Sequence, residues 1–154
     1  MDALRIEPFD PQDADEALAL VSMWRASFEH GVGVQDPHPI EAQIEFLLTT
    51  VVPAHTVQVA WQGGAIVGFV AYNDESVSQL FARVQNIGQG IGTRLLNLAK
   101  AHSSGRLWLY TFARNTRARA FYEHHGFVDI AHGFEPSWQL DDVKFEWVRD
   151  AAKD

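Results

Sequence analysis

Residues 88–92 read Gly-Gln-Gly-Ile-Gly, so the backbone carries a glycine at every second position. A leucine-rich segment with helical spacing follows directly, which places these glycines where a helix begins. Because glycine is conformationally costly, its repeated use indicates a sharp turn or a close approach of the backbone to another group. The free N–H groups and positive dipole end of a helix N-terminus suit a pyrophosphate. The pattern therefore predicts an anion-binding loop, although a glycine-rich helix start also serves as a simple tight turn.

Two common nucleotide-binding motifs do not fit this loop. A P-loop requires Lys and Ser or Thr after its last glycine, whereas Gly92 is followed by Thr93 and Arg94. A dinucleotide fingerprint places its third glycine three residues after the second, with an acid about twenty residues further on. Here the glycine spacing is shorter, and the next acidic residue is Glu123. The loop is therefore expected to bind a phosphate of another kind.

The charges of the chain are unevenly distributed around the loop. The net charge is −8 over 154 residues, yet residues 76–122 contain no Asp or Glu and carry +7, which leaves −15 on the remainder. This acid-free segment indicates that an anion is held there, with chance clustering on solvated faces as the alternative. The overall acidity disfavours nucleic acid or an anionic membrane as the main partner.

Hydrophobic periodicity predicts an α/β protein. Alternating or short buried patterns predict strands over 4–9, 55–61, 65–72, 76–82, 107–111, 127–130 and 143–148. Helical spacing predicts helices over 12–29, 40–51, 115–124 and from Ile91 onward, with Asp10 as the first N-cap and Pro11 at the first helical position. Because no repeat or linker interrupts this order, we expect one domain over residues 1–154 with a mixed sheet and helices on both faces.

The residues that are missing from the chain also narrow its class. Cysteine is absent, which excludes disulfides, thiolate metal sites and a cysteine nucleophile. No apolar run reaches the roughly eighteen residues of a membrane span, and the acidic start lacks the zones of a signal peptide. These features predict a cytoplasmic protein. Adjacent His124 and His125 cannot both face one ion from a helix, so no metal is expected.

Two longer segments together resemble a known family. SVSQLFARVQNIGQGIGTRLLNLAK and LWLYTFARNTRARAFYEHHGF closely resemble the two hallmark motifs of the GNAT superfamily of N-acetyltransferases. The GGAIVGFVAY hairpin and the DVKFEW strand match the family's order of elements. The resemblance implies a mixed, mostly antiparallel central sheet of about seven strands with about four helices. It also implies transfer of the acetyl group of acetyl-CoA to a primary amine by direct attack in a ternary complex.

The resemblance further implies which residues bind acetyl-CoA. The strand around Phe81 and Ala82 would pair with the pantetheine arm, and one amide there would polarise the thioester carbonyl. Asn115 is either a helix N-cap or a hydrogen-bond partner of that arm. Ile87 stands where the family usually has Gln or Arg, so weaker cofactor binding is expected. The implied pyrophosphate cradle consists of the backbone amides of Gly88, Gln89, Gly90, Ile91, Gly92 and Thr93.

Tyr122 is the residue that the resemblance implies as general acid. Its hydroxyl would protonate the departing thiolate of coenzyme A, although flanking Phe121 and Phe127 also fit a core aromatic. Many relatives use a carboxylate near the fourth strand as general base, and Glu75 lies just before that strand. The other candidate bases are His30, His38 and His55, and Trp24 and Phe28 either line the acceptor pocket or belong to the core.

Two other functions fit the same residues. A non-catalytic acyl-CoA-binding sensor or interaction module would keep the loop without turnover of any amine. An acetyltransferase of charged tRNA would need a basic surface outside the cofactor slot, which the −15 remainder disfavours. The expected acceptor is a small-molecule or peptide amine, without nucleic acid or membrane, and a homodimer is possible. A small amine, an amino-acid-like compound, an antibiotic and a protein N-terminus all fit the sequence.

Overall fold

The computed structural model describes residues 3–150, and within them the predicted α/β class is confirmed. The strands are β1 (Arg5–Pro8), β2 (Thr56–Gln62), β3 (Ala65–Tyr72), β4 (Val77–Ala82), β5 (Arg106–Phe112), β6 (Val128–Glu135) and β7 (Leu140–Val148). The helices are α1 (Ala14–Val32), α2 (Ile40–Phe46), α3 (Ile91–His102) and α4 (Thr116–His124). Helix α2 continues through a π-helical turn, Leu47–Val51, into a short last turn, Val52–Ala54.

The seven strands form two antiparallel sheets instead of one continuous sheet. The strand orders are β1-β2-β3-β4 and β5-β7-β6. A single parallel bridge between Ser76 and Trp108 joins the two sheets, and there the Trp108 N–H donates to the Glu75 carbonyl at 2.9 Å. Beyond this bridge β4 and β5 no longer pair with each other. The result is an opening in the middle of the fold, between two strand edges.

Helix α1 begins later than the sequence pattern predicts. Its N-cap is Asp13, whose side chain accepts from the backbone N–H groups of Asp15 and Glu16. Asp10 instead accepts from the Gln12 N–H at 2.9 Å and stabilises the preceding turn. The prediction of Asp10 as N-cap was therefore wrong, because two Asp residues compete for the cap and the helix starts after the second.

The last hairpin is longer than the sequence predicts. Strands β6 and β7 extend towards each other well beyond the predicted 127–130 and 143–148. Strand β6 is an edge strand on which Val128, Ile130 and Phe134 are exposed. These apolar residues stand at alternate positions, but His132 interrupts the pattern after Ile130, which explains why the second half of the strand was not predicted.

The two faces of the β1–β4 sheet carry separate cores. Helices α1 and α2 pack on the face that contains Phe69, and α3 packs on the other face with Leu95 and Leu96 fully buried. A Cβ at Gly68 would lie 2.9 Å from Ile91, so glycine there lets the start of α3 approach β3 closely. This contact fixes the N-terminus of α3 beside the end of β4. No helix among residues 3–150 has the length and apolar character of a membrane span.

Candidate active site

A cavity of about 880 Å³ occupies the opening between β4 and β5. Its walls come from helices α1, α2 and α4, from both open strands and from the turn between β6 and β7. Because these elements are far apart in sequence, only the fold brings their side chains together. The sequence-predicted residues that line the cavity are Trp24, Phe28, Phe81, Asn115 and Tyr122.

The register of β4 shows which backbone groups face the opening. The N–H of Arg83 donates to the Val67 carbonyl at 2.8 Å. Along β4, every second residue counted back from Arg83 therefore forms its backbone hydrogen bonds with β3. Phe81 is one of these paired residues. The backbone groups of Leu80 and Ala82 therefore point away from β3, towards the opening. Phe81 therefore pairs with β3, whereas Leu80 and Ala82 face the opening, and pairing of this strand with a pantetheine arm stays a prediction.

The β5 edge faces the opening in the same way. The Ala113 N–H donates to the Asp141 carbonyl at 2.8 Å, so Tyr110 and Phe112 direct their backbone groups away from β7. On the β4 side, the Ala82 carbonyl accepts from the Ser27 hydroxyl at 2.8 Å. The remaining open groups can pair with an extended ligand as a neighbouring strand would.

The glycine loop presents free amides at the start of α3. Gly88 and Gly90 have φ values of +89° and +81°, and Gly90 is the N-cap. The Gln89 N–H donates to the Asn86 carbonyl at 3.3 Å. This amide of the expected cradle is therefore hydrogen-bonded within the loop and is not free for a phosphate. The other five amides donate to no described residue and belong to Gly88, Gly90, Ile91, Gly92 and Thr93.

A buried asparagine that the sequence did not single out shapes this loop. Asn86 accepts from the Arg83 Nε at 2.6 Å and donates to the Gln89 Oε1 at 3.0 Å. Arg83 is thereby hydrogen-bonded to the loop. Gly92 allows close packing, because a Cβ there would lie 3.2 Å from the ring of Phe121. No pattern in the sequence marks Asn86, since its partners are polar loop residues.

Asn115 is the N-cap of α4. Its Oδ1 accepts from the Ala118 N–H at 3.2 Å. Its Nδ2 lies at α1, where a Cβ added to Gly31 would approach it to 2.9 Å. One of the two sequence interpretations is therefore shown, and the contact with the pantetheine arm stays a prediction.

The two roles of Asn115 are separable by substitution. Asn115→Ser keeps a neutral capping oxygen but removes the amide donor, whereas Asn115→Ala removes both. We expect the alanine variant to lose about 1 kcal/mol of stability and the serine variant much less. If the amide also binds the ligand, both variants lose affinity for coenzyme A in calorimetry. A serine variant with full affinity would show that capping is the residue's sole role.

Tyr122 lies on α4 with its ring in the core and also lines the cavity. The ring packs against Phe121, Phe127 and Phe145, with centroid distances of 5.3, 5.5 and 6.1 Å. Burial raises the pKa of the Tyr122 hydroxyl well above its ordinary value near 10. The hydroxyl therefore keeps its proton at neutral pH, as a proton donor must. Tyr122 is thus a core aromatic and a cavity residue at once.

Glu75 does not join the other predicted site residues. It lies in a separate surface hollow with His55 and His102, at the closed end where the two sheets meet. The expected contact of Glu75 with an acceptor finds no support in this position. Among the candidate histidines, His38 lines the cavity, and its Nδ1 lies 2.7 Å from Asp36 Oδ1.

The tandem histidines lie at the glycine loop but form no metal cluster. His125 Nε2 is 3.1 Å from Thr93 Oγ1, and its backbone carbonyl accepts from Lys100 at 2.7 Å. Burial, and then the charges of Lys100 and His124, lower the pKa of His125. Within the described part of the chain, no three His, Asp or Glu side chains are grouped as a metal site requires.

The split sheet, the glycine loop and the cavity together form one candidate site, and comparison with known proteins identifies the family. The family model described as "Acetyltransferase (GNAT) domain" matches residues 53–129, which is half of the chain. The chain therefore belongs to the GNAT acetyltransferase family.

Individual relatives share the fold at low sequence identity. PaiA N-acetyltransferase from Thermoplasma acidophilum, solved with coenzyme A, superposes with a TM-score of 0.73 at 19% identity, covering 95% of this chain and 99% of that one. An acetyltransferase from Thermus thermophilus has a TM-score of 0.74 at 21% identity, covering 95% and 97%. The mycothiol acetyltransferase of Beutenbergia cavernae is 38% identical over 50 residues, 32% of this chain. That match spans only 17% of the curated relative's length.

Proposed function

We propose that the protein transfers the acetyl group of acetyl-CoA to a primary amine by direct attack in a ternary complex. The observation that carries this proposal is the cavity between the unpaired edges of β4 and β5. Free loop amides lie at the α3 start beside the end of β4, and Tyr122 lies in the cavity wall. The proposal treats residues 1–154 as one cytoplasmic acetyltransferase domain, of which residues 3–150 are described.

The donor groups of the chain fit acetyl-CoA. Five free backbone amides at a helix N-terminus suit the pyrophosphate, and the acid-free segment around them suits the further phosphate. The open backbone groups of Leu80 and the N–H of Ala82 suit the amide-bearing pantetheine arm. The coenzyme A bound in the PaiA relative supports the same choice of cosubstrate.

Different groups of the cavity act at different steps of the reaction. Acetyl-CoA supplies a thioester carbon that accepts the amine nitrogen and a sulfur that leaves as the C–S bond breaks. A free amide of β4 donates to the carbonyl oxygen, where negative charge develops. Tyr122 gives its proton to the departing sulfur, and the amine releases its own proton to water. Because the sequence has no cysteine, a covalent thioester on the protein is excluded.

Turnover distinguishes this proposal from its two alternatives. Release of free coenzyme A should follow addition of an amine from a chemically diverse library to the protein and acetyl-CoA. A sensor module would bind acetyl-CoA without releasing coenzyme A in the presence of any amine. An enzyme of charged tRNA would turn over only with the RNA. The name of the mycothiol acetyltransferase relative supports acetyl transfer, but a match to 17% of its length does not transfer its acceptor.

Ile87 offers a direct check on the alignment of the loop. It is 39% exposed just before Gly88, in the place where the resemblance expects Gln or Arg. Ile87→Arg should tighten coenzyme A binding about two- to five-fold at low salt and less at high salt, since ions screen an exposed pair. Calorimetry at two salt concentrations measures this difference.

Leu18→Arg is the matched control, because Leu18 is another exposed aliphatic residue and lies on α1. It adds the same charge to the protein away from the loop and should leave the affinity unchanged. Equal or weaker binding of Ile87→Arg at low salt would count against the alignment. A homodimer also stays a prediction, for which sedimentation of the purified protein is the measurement.

A further inference from the structure

The α1 side of the cavity carries a group of aromatic rings. On β5, Leu107 and Leu109 pack towards α3, so the alternate residues Tyr110 and Phe112 face the α1 side. The ring of Phe28 lies 6.0 Å from Phe112 and 4.8 Å from Trp138, measured between centroids. Phe112 and Trp138 are 6.3 Å apart. These three rings, Phe28, Phe112 and Trp138, are the aromatic cluster of the cavity.

The cavity is lined by three carboxylates and by the imidazole of His38. Asp36, Glu135 and Asp142 line it, and no Lys or Arg does so among the described residues. Asp36 is close to His38, and Glu135 accepts from the Trp138 N–H at 2.8 Å. Asp142 is half-buried and lies opposite Phe112 in the strand register, and its carboxylate makes no hydrogen bond or ion pair with a described residue. Its carboxylate is therefore available to a ligand.

A second polar atom of the cavity also lacks a partner. The Oε1 of Gln43 is buried without a hydrogen bond in the described structure, and Gln43 lines the cavity from α2. An unpaired buried acceptor costs free energy unless a donor reaches it. An ammonium group has only donors, so a carboxylate and an amide oxygen are both suitable acceptors for it.

We propose that the acceptor is a cationic primary amine with an aromatic or apolar body and no anionic group. Asp142 binds its ammonium as the acceptor enters, and the aromatic cluster holds its body. The nitrogen then loses one proton to water and attacks the thioester as a neutral amine. The rings also favour a nearby cation through their faces. A carboxylate or phosphate on the acceptor would meet three acidic side chains and neither Lys nor Arg in the cavity wall formed by the described residues, where His38 is already paired with Asp36. This inference rests on the proposed function, of which it names the substrate class.

A pair of amines that differ in one carboxylate tests the substrate class. 2-Phenylethylamine and L-phenylalanine share the ring and the amine, but only the amino acid is anionic at one end. We expect kcat/KM for 2-phenylethylamine to be at least about ten-fold higher, since a hydrogen-bonded charged group contributes on this scale. Equal or faster turnover of phenylalanine would overturn the inference and leave the acetyltransferase function intact.

Asp142→Asn tests the residue. It should raise KM for 2-phenylethylamine about 10- to 100-fold with a smaller change in kcat. The difference in kcat/KM between 2-phenylethylamine and L-phenylalanine should therefore become smaller. Asp141→Asn is the matched control, because Asp141 is the exposed neighbour and does not line the cavity. The same effect in both variants, or none in Asp142→Asn, would overturn the role of Asp142.

A binding readout separates failure of the inference from failure of the proposed function. Thermal unfolding of the wild type with coenzyme A, with and without 2-phenylethylamine, reports acceptor binding without turnover. Binding of the amine without release of coenzyme A from acetyl-CoA would support the cavity assignment but refute catalysis. Turnover of other amines without binding of 2-phenylethylamine would refute the substrate class alone. Absence of both binding and turnover with every amine would refute the two proposals together.

Discussion

Gly90→Glu should abolish binding of coenzyme A while the protein remains folded. Gly90 caps α3 with φ +81°, and a Cβ there would meet no atom within 4 Å, so a longer side chain has room beside the free amides. A carboxylate at this place would compete for the helix dipole and repel the pyrophosphate. The left-handed conformation costs a non-glycine residue about 1–2 kcal/mol, which a folded domain tolerates.

Two further variants separate charge, strain and position. Gly90→Gln has the same backbone strain and nearly the same size without the charge, so it should retain more affinity than Gly90→Glu. Gly64→Glu introduces the same strain and charge in the turn between β2 and β3, where φ is +79° and a Cβ would again be unobstructed. Its affinity should equal that of the wild type in calorimetry. Unchanged affinity of a folded Gly90→Glu would refute the cradle.

Helices and strands were predictable wherever the hydrophobic periodicity of a single segment indicates its secondary structure. Hydrophobic alternation predicted β2 and β3, and helical spacing predicted α3. The split between β4 and β5 had no such signal, because these strands are separated in sequence and pair only at Ser76 and Trp108. Whether two distant strands continue to pair depends on tertiary packing. Periodicity therefore predicted the strands but not where β4 and β5 separate, and only the family resemblance implied an open edge on β4.

The same distinction separates the predicted from the unpredicted site residues. Tyr122 and the loop glycines lie within contiguous motifs, and the structure places Tyr122 in the cavity wall and the glycines at the start of α3, while their roles stay predictions. Gln43 and Trp138 lie outside the quoted motifs, Asp142 is the first residue of the DVKFEW strand, and only the fold brings the three to one cavity. Their roles could not be predicted because each is an ordinary polar or aromatic residue in its own segment.

Glu75 shows the opposite error. Proximity in sequence to β4 suggested a place in the site, since many relatives use a carboxylate near that strand. The structure puts Glu75 at the bridge that closes the opening, where its carbonyl accepts from Trp108. A residue at the paired end of a strand cannot line a cavity that begins where pairing stops. The position along the strand therefore decides the role, and sequence proximity alone does not.

Tyr122→Phe should lower kcat by roughly 10²- to 10⁴-fold with little change in acetyl-CoA affinity. The substitution removes one oxygen and keeps the ring among Phe121, Phe127 and Phe145. No described residue forms a hydrogen bond with the hydroxyl, so its loss should change stability by less than about 1 kcal/mol. A proton donor acts only as charge develops on the sulfur, which is why binding of the ground state is spared.

Tyr72→Phe is the matched control, because Tyr72 is also buried but lies on β3 outside the cavity. Its activity per folded molecule should equal that of the wild type.

The pH profile of activity adds a second readout for Tyr122→Phe. Burial raises the pKa of Tyr122, so the wild type should lose this donor only above the ordinary tyrosine value near 10, and Tyr122→Phe should lack that alkaline limb. The acid limb should persist in both, since it reports the amine. Near-full turnover of Tyr122→Phe with a good acceptor would mean that water protonates the thiolate.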